Sequence, residues 1–136
     1  MILWFTGQPG SGKTTLCKEL RKRIFCTSKK TINLDGDDIR DILDNKDYSE
    51  KGRRKNIEFA INMAKVLENK GYLVLVSLVS PYRDLRIGKV FYLHSERNLR
   101  KQYHVENYEP PTENFIKINT DKPIGDCVSE ILDVCR

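Results

Sequence analysis

The sequence has no apolar run that approaches the roughly 20 residues of a membrane-spanning helix. The short run from Ile2 to Phe5 has no basic segment before it and meets a glycine-rich loop at once, so it is expected to be a strand rather than a signal peptide. Cysteine is sparse. Cys17, Cys26, Cys127 and Cys135 include no CxxC pair and no Cys/His cluster, which excludes the usual disulfide framework or structural zinc site; they are expected to be reduced, mostly buried thiols. The two histidines, His94 and His104, lie far from metal-ligand spacing and read as ordinary surface or packing residues. Internal repeats, low-complexity tracts and linkers are missing as well. A hydrophobic share of 39% and a charged share of 32% exclude a collagen-like chain and argue against global disorder. The 136 residues suit one domain, 1–136, of a cytoplasmic protein.

Short apolar runs alternate with amphipathic ones. Ile2–Thr6, Thr31–Asp35, Leu73–Val79, Lys89–His94 and Phe115–Ile118 read as strands. A helix is expected over Lys13–Phe25, where Leu16, Leu20 and Ile24 recur once per turn, and another from Asp37 and Asp38 through Leu43. Ile57, Ala60, Ile61, Ala64 and Leu67 keep helical spacing up to a stop at Gly71. A short helix is expected from Ser95 to Gln102, and a last one carries Ile124, Cys127, Val128, Ile131, Leu132 and Cys135. Pro81 should push Ser80 toward an extended backbone. The alternation predicts an α/β fold of three layers, with a mainly parallel five-stranded sheet flanked by helices.

Gly7, Gln8, Pro9, Gly10, Ser11, Gly12, Lys13 and Thr14 match G-x-x-x-x-G-K-[ST], with Thr15 following. The glycines let successive amides curl toward phosphate oxygens, Lys13 can bridge the outer phosphates, and the Thr14 hydroxyl can ligate magnesium. The match lies between an apolar strand and an amphipathic helix, as that mechanism needs, and predicts a P-loop NTPase fold that binds ATP with Mg2+. A GTPase reading fails, because Asn45-Lys46-Asp47 lacks NKxD spacing and no DxxG occurs.

The turn Leu34-Asp35-Gly36-Asp37-Asp38-Ile39-Arg40 follows the second strand on the ligand side of the sheet. One carboxylate here could order magnesium-bound water and a second could accept the proton of an attacking hydroxyl, with Asp35 and Asp37 the candidates beside Lys13. The same carboxylates also suit a helix cap, the role expected of Asp38. Arg40 could hold a phosphate or sulfate. The basic run Gly52-Arg53-Arg54-Lys55-Asn56 fits a solvated face equally well, and Ser80-Pro81-Tyr82-Arg83 could be an ordinary strand-ending turn.

Taken together, Gly7–Thr14, Leu34–Arg40, Ser49–Ile57 and Val76–Arg83 resemble, in order and separation, the motifs of the adenylylsulfate kinase (APS kinase) family. The resemblance implies transfer of the ATP γ-phosphoryl group to the ribose 3′-hydroxyl of adenosine 5′-phosphosulfate. It implies Asp37 as the base or 3′-hydroxyl partner, and Asp35 as support for magnesium through water. Arg40, Arg53 and Asn56 would grip the acceptor nucleotide. Tyr48 would stand where the family has a phenylalanine on the acceptor adenine, with Val79 and Ser80 against the same substrate. A homodimer is implied too; neither nucleic acid nor a membrane is the expected partner.

Two places depart from the pattern. Gly52 replaces an aspartate, and the Lys/Arg-rich lid with its glycine-phenylalanine segment is not recognisable between His94 and Phe115, where Arg97, Arg100 and Lys101 are the nearest substitutes. Two other readings therefore stand beside APS kinase: a P-loop kinase of another hydroxyl acceptor, and a nucleotide-binding protein without turnover.

Overall fold

The computed structural model describes residues 1–25, 30–97 and 101–135; Cys26 and Arg100 lie outside them. Strand β1 (Ile2–Thr6) leads through the glycine loop to helix α1 (Lys13–Phe25). Then follow β2 (Thr31–Asp35), α2 (Gly36–Leu43), α3 (Glu50–Asn69), β3 (Leu73–Ser77), β4 (Lys89–His94), β5 (Phe115–Asn119) and α4 (Ile124–Cys135). The five strands form one sheet in the order β2-β3-β1-β4-β5, and every neighbouring pair is parallel. Among the described residues no helix is long and apolar enough to cross a membrane.

Strand alternation divides the core in two. Leu3 and Phe5 face α1 and α4, joining Leu16, Leu20, Leu75, Phe91, Val128 and Ile131. Ile2 and Trp4 face α2 and α3, joining Ile39, Ile57, Ala60, Ala64, Val74 and Val76. With both faces covered, β1 is apolar from Ile2 to Phe5, and only Thr6 at its end is polar. Pairing of Asp35 with Ser77 and of Phe5 with Ser77 brings the ends of β2, β3 and β1 to one level. That level is where the functional side chains gather.

Three local expectations are corrected. β3 ends at Ser77 instead of Val79, because the Val79 and Ser80 carbonyls accept from the Thr6 hydroxyl, at 2.7 and 3.2 Å, instead of from a neighbouring strand. Ser80 is not extended: its φ is +49°, held there by bonds from residues distant in the chain. The helix from 95 to 102 does not form in its described part. Ser95 Oγ donates to Asp121 at 2.7 Å and the Glu96 amide to the same carboxylate at 2.8 Å, so an outside acceptor takes the groups that would open the helix; only a 3-10 turn, Lys101–Tyr103, is present. Cys17 and Cys127 are buried free thiols and Cys135 is partly buried, as expected.

Candidate active site

The loop between β1 and α1 turns through two glycines with positive φ, Gly10 at +83° and Gly12 at +95°, a conformation that side chains oppose. It is fastened by the Thr120 hydroxyl, which donates to Ser11 O at 2.7 Å. Lys13 Nζ lies over the loop and donates to the carbonyls of Gly7 (2.8 Å) and Gln8 (3.0 Å). A cleft of about 1360 Å3 opens beside it, lined by Pro9, Gly10, Gly12, Lys13, Thr14 and Thr15. The start of α1 thus presents its unpaired amides, the positive end of its dipole and one ammonium to the same space, which is an anion site. Of the predicted loop residues, Gly7, Gln8 and Ser11 do not line the cleft.

Asp35 joins three elements through one carboxylate. Its Oδ1 accepts from the Thr14 hydroxyl at 3.2 Å and from the Ser77 hydroxyl at 3.0 Å, and its Oδ2 accepts from the Asp37 amide as the N-cap of α2. Capping and a role at the site are therefore compatible in Asp35, and it is Asp35 that caps α2, not Asp38. Asp37, two residues further, also lines the cleft.

Arg40, Tyr48, Arg53, Asn56, Val79 and Ser80 line the same cleft. The Arg40 guanidinium donates to the carbonyls of Asn45 (3.0 Å) and Asp47 (3.2 Å), with its carbon 4.0 Å from the centre of the Tyr48 ring. Asn45 in turn donates to Asn56 Oδ1 at 2.7 Å and to Gly52 O at 2.9 Å. Gly52 is required here: a Cβ would fall 2.2 Å from Asp47 O. Ser49 caps α3, and its bonds to Asp47 hold that carboxyl below the usual carboxylate range. The basic run is divided by this geometry. Arg53 lines the cleft, whereas Arg54 pairs with Asp84 at 3.0 Å and lies over Tyr82.

The segment after β4 contributes residues that sequence reasoning missed. Tyr103, His104 and Val105 line the cleft. His104 Nε2 is 3.1 Å from Pro9 O, so this histidine packs against the phosphate loop. Nothing in spacing or periodicity marks these positions. Further along, Thr6 gives its one hydroxyl proton to β3's continuation, so Tyr108 is the donor in their 2.7 Å bond. Burial pushes the Tyr108 phenol up to about 12 and draws the adjacent Arg86 guanidinium below its usual value. Of the suggested lid substitutes, Arg97 lines the cleft but spends its guanidinium on Asp121 (2.7 Å) and Thr120 O (3.0 Å), and Lys101 is exposed outside it.

The family model for adenylylsulphate kinase matches residues 1–129. The bifunctional enzyme NodQ of Rhizobium meliloti is 36% identical over 93% of this chain and 17% of its own length. The adenylyl-sulfate kinase of Pseudomonas aeruginosa is 31% identical over 93% of this chain and 56% of its own length. The chain thus spans only part of these relatives. Among solved structures, Mycobacterium tuberculosis APS kinase CysC in complex with AMPPNP and APS superposes with a TM-score of 0.88, at 22% identity, over 98% of this chain and 96% of that one. The family match covers both the phosphate loop and the ends of β2 and β3 that form the cleft, and on it the chain belongs to the adenylylsulphate kinase family.

Proposed function

We propose that this chain phosphorylates the ribose 3′-hydroxyl of adenosine 5′-phosphosulfate with ATP, giving 3′-phosphoadenosine 5′-phosphosulfate and ADP. One observation carries the reading: a single cleft is lined by the phosphate loop, by Arg40, Arg53, Tyr48 and Asn56, and by Asp37. A donor phosphate and an anionic, aromatic acceptor can both be seated there, with a carboxylate in the same cleft.

In this reading the acceptor 3′-oxygen attacks the γ-phosphorus while the bond to the β,γ-bridging oxygen breaks, and ADP departs. Asp37 takes the proton of the hydroxyl. Lys13 and the loop amides spread the charge that develops on the phosphoryl oxygens. Thr14 Oγ1 and Asp35 Oδ1, 3.2 Å apart, fit a hard cation that keeps most of its coordination for water and phosphate. Bound there, Mg2+ would neutralise phosphate charge. Arg40 and Tyr48 orient the acceptor by charge and by an exposed ring face.

The test is ADP release from MgATP with and without adenosine 5′-phosphosulfate, and identification of the phosphorylated product. Stimulated release with the 3′-phosphorylated product supports the reading. ATP binding with an inert acceptor overturns it, leaving another hydroxyl acceptor or nucleotide binding without turnover, the two readings that the short 95–114 stretch motivates. Asp37→Ala should lower transfer by about 100-fold or more while leaving ATP-analogue binding intact.

A further inference from the structure

Gln8 stands second in the phosphate loop, yet it does not line the cleft. Its carboxamide turns to the segment between β4 and β5, where Nε2 donates to Val105 O at 2.9 Å and Oε1 accepts from Val105 N at 2.8 Å. One side chain thereby satisfies both polar groups of one residue's backbone, as a neighbouring strand would. This matters because residues 104–114 contain no helix or strand to hold them; their placement depends on such bonds. His104 donates to Pro9 O, since a carbonyl only accepts, and Tyr108 donates to Thr6. At the far end the Glu109 amide donates to Pro81 O at 2.9 Å, Glu109 Oε1 accepts from the Arg83 amide at 2.9 Å, and Arg86 donates to Glu109 O. Residues 103–110 therefore form a strap from the phosphate loop to the turn at Ser80, both of which line one cleft.

We propose that Gln8 is a positioning residue: it fastens this strap to the phosphate loop, and so sets Tyr103 and His104 in the cleft, where they exclude water from the transferring phosphoryl group. The catalytic consequence rests on the kinase reading; the fastening does not. A loop with an apolar side chain at position 8 could not make the two-point bond. The strap thus does with fixed hydrogen bonds part of what a longer, mobile cover does by closing.

Gln8→Met keeps the length of the side chain and removes both bonds; Val105→Pro removes the amide on the strap and leaves Gln8 in place. In the full chain, hydrogen exchange at the Val105 amide should accelerate about tenfold in Gln8→Met, with protection in β1 and β3 unchanged. ATP hydrolysed to ADP and inorganic phosphate, relative to acceptor phosphorylated, should rise about tenfold in both variants. Unchanged Val105 exchange in Gln8→Met overturns the fastening, and lost protection with an unchanged hydrolysis-to-transfer ratio overturns the positioning role. If Gln8→Met does not fold, the ratio in Val105→Pro decides. If the unaltered chain phosphorylates no acceptor, the kinase reading has failed. The strap is then judged on Val105 exchange and MgATP affinity, and equal affinity in wild type and Gln8→Met overturns it.

Discussion

The Thr14 hydroxyl donates to Asp35 Oδ1 at 3.2 Å, tying the first turn of α1 to the cap of α2. Two functions of the same carboxylate can be separated by substitution. Asp35→Asn keeps an acceptor for the Asp37 amide, so thermal stability should hold within about 0.5 kcal/mol, while the Mg2+ concentration needed for half-maximal turnover rises about tenfold. Asp35→Ala should lose both, with about 1 kcal/mol of stability gone with the cap. Urea titration and a Mg2+ titration of initial rates distinguish the two variants.

Ser80 offers a contrast of sign. Its hydroxyl accepts from Trp4 Nε1 at 3.1 Å in a fully buried setting, and its backbone sits at a φ of +49°. Ser80→Ala leaves the indole proton unpaired and keeps the strained backbone, so a loss of about 1–3 kcal/mol is expected. Ser80→Gly loses the same bond but relieves about 1 kcal/mol of backbone strain. Alanine should therefore be the more damaging change in denaturant unfolding, the reverse of the order in an ordinary helix.

Gly52→Ala tests close packing in α3. At an open helical position the change would stabilise by up to about 1 kcal/mol. Here the added carbon meets Asp47 O at 2.2 Å, so the loop that carries Arg40's acceptors must move. The expected result is a net loss of about 2 kcal/mol together with a raised KM for the acceptor; a stabilised variant would contradict the geometry.

Alkaline pH should weaken the fold. Burial raises Tyr108 to about 12 and Cys17 from 9.0 to about 12. Between these values and those of the unfolded chain, unfolding releases protons that the native state retains, so raising the pH favours unfolding. Stability is full below pH 9 and falls as the pH rises toward 12, by about 1.4 kcal/mol per unit for each group titrating only when unfolded. Cys17→Ala should flatten the slope above pH 9, and Tyr108→Phe the slope above pH 10, in urea midpoints measured across the range.

Much of the fold was legible because its signals are local. The five strands and four helices follow from apolar runs and helical spacing, and Lys13, Thr14, Asp35 and Asp37 stand in contiguous motifs whose geometry the strand ends impose. What was missed depends on contacts between distant residues. Ser80 obeys Trp4, Thr6 and Arg86 instead of the proline beside it. Arg40 lines the cleft, but its bonds to the Asn45 and Asp47 carbonyls had no signature in sequence. His104 and Val105 are placed by backbone groups of the phosphate loop and by one glutamine, and backbone acceptors leave no trace in residue identity. Asp121, which captures Ser95 and Glu96, overrides a helical pattern for the same reason.

The chain contains a single tryptophan. Its indole is wholly buried in β1 while its N–H reaches the turn that lines the cleft. Tryptophan emission from this protein is therefore a one-site optical signal: any ligand that shifts Ser80 alters the polarity and bonding of the only indole. Binding of such a ligand can be followed by intrinsic fluorescence, with no label added to the site being measured.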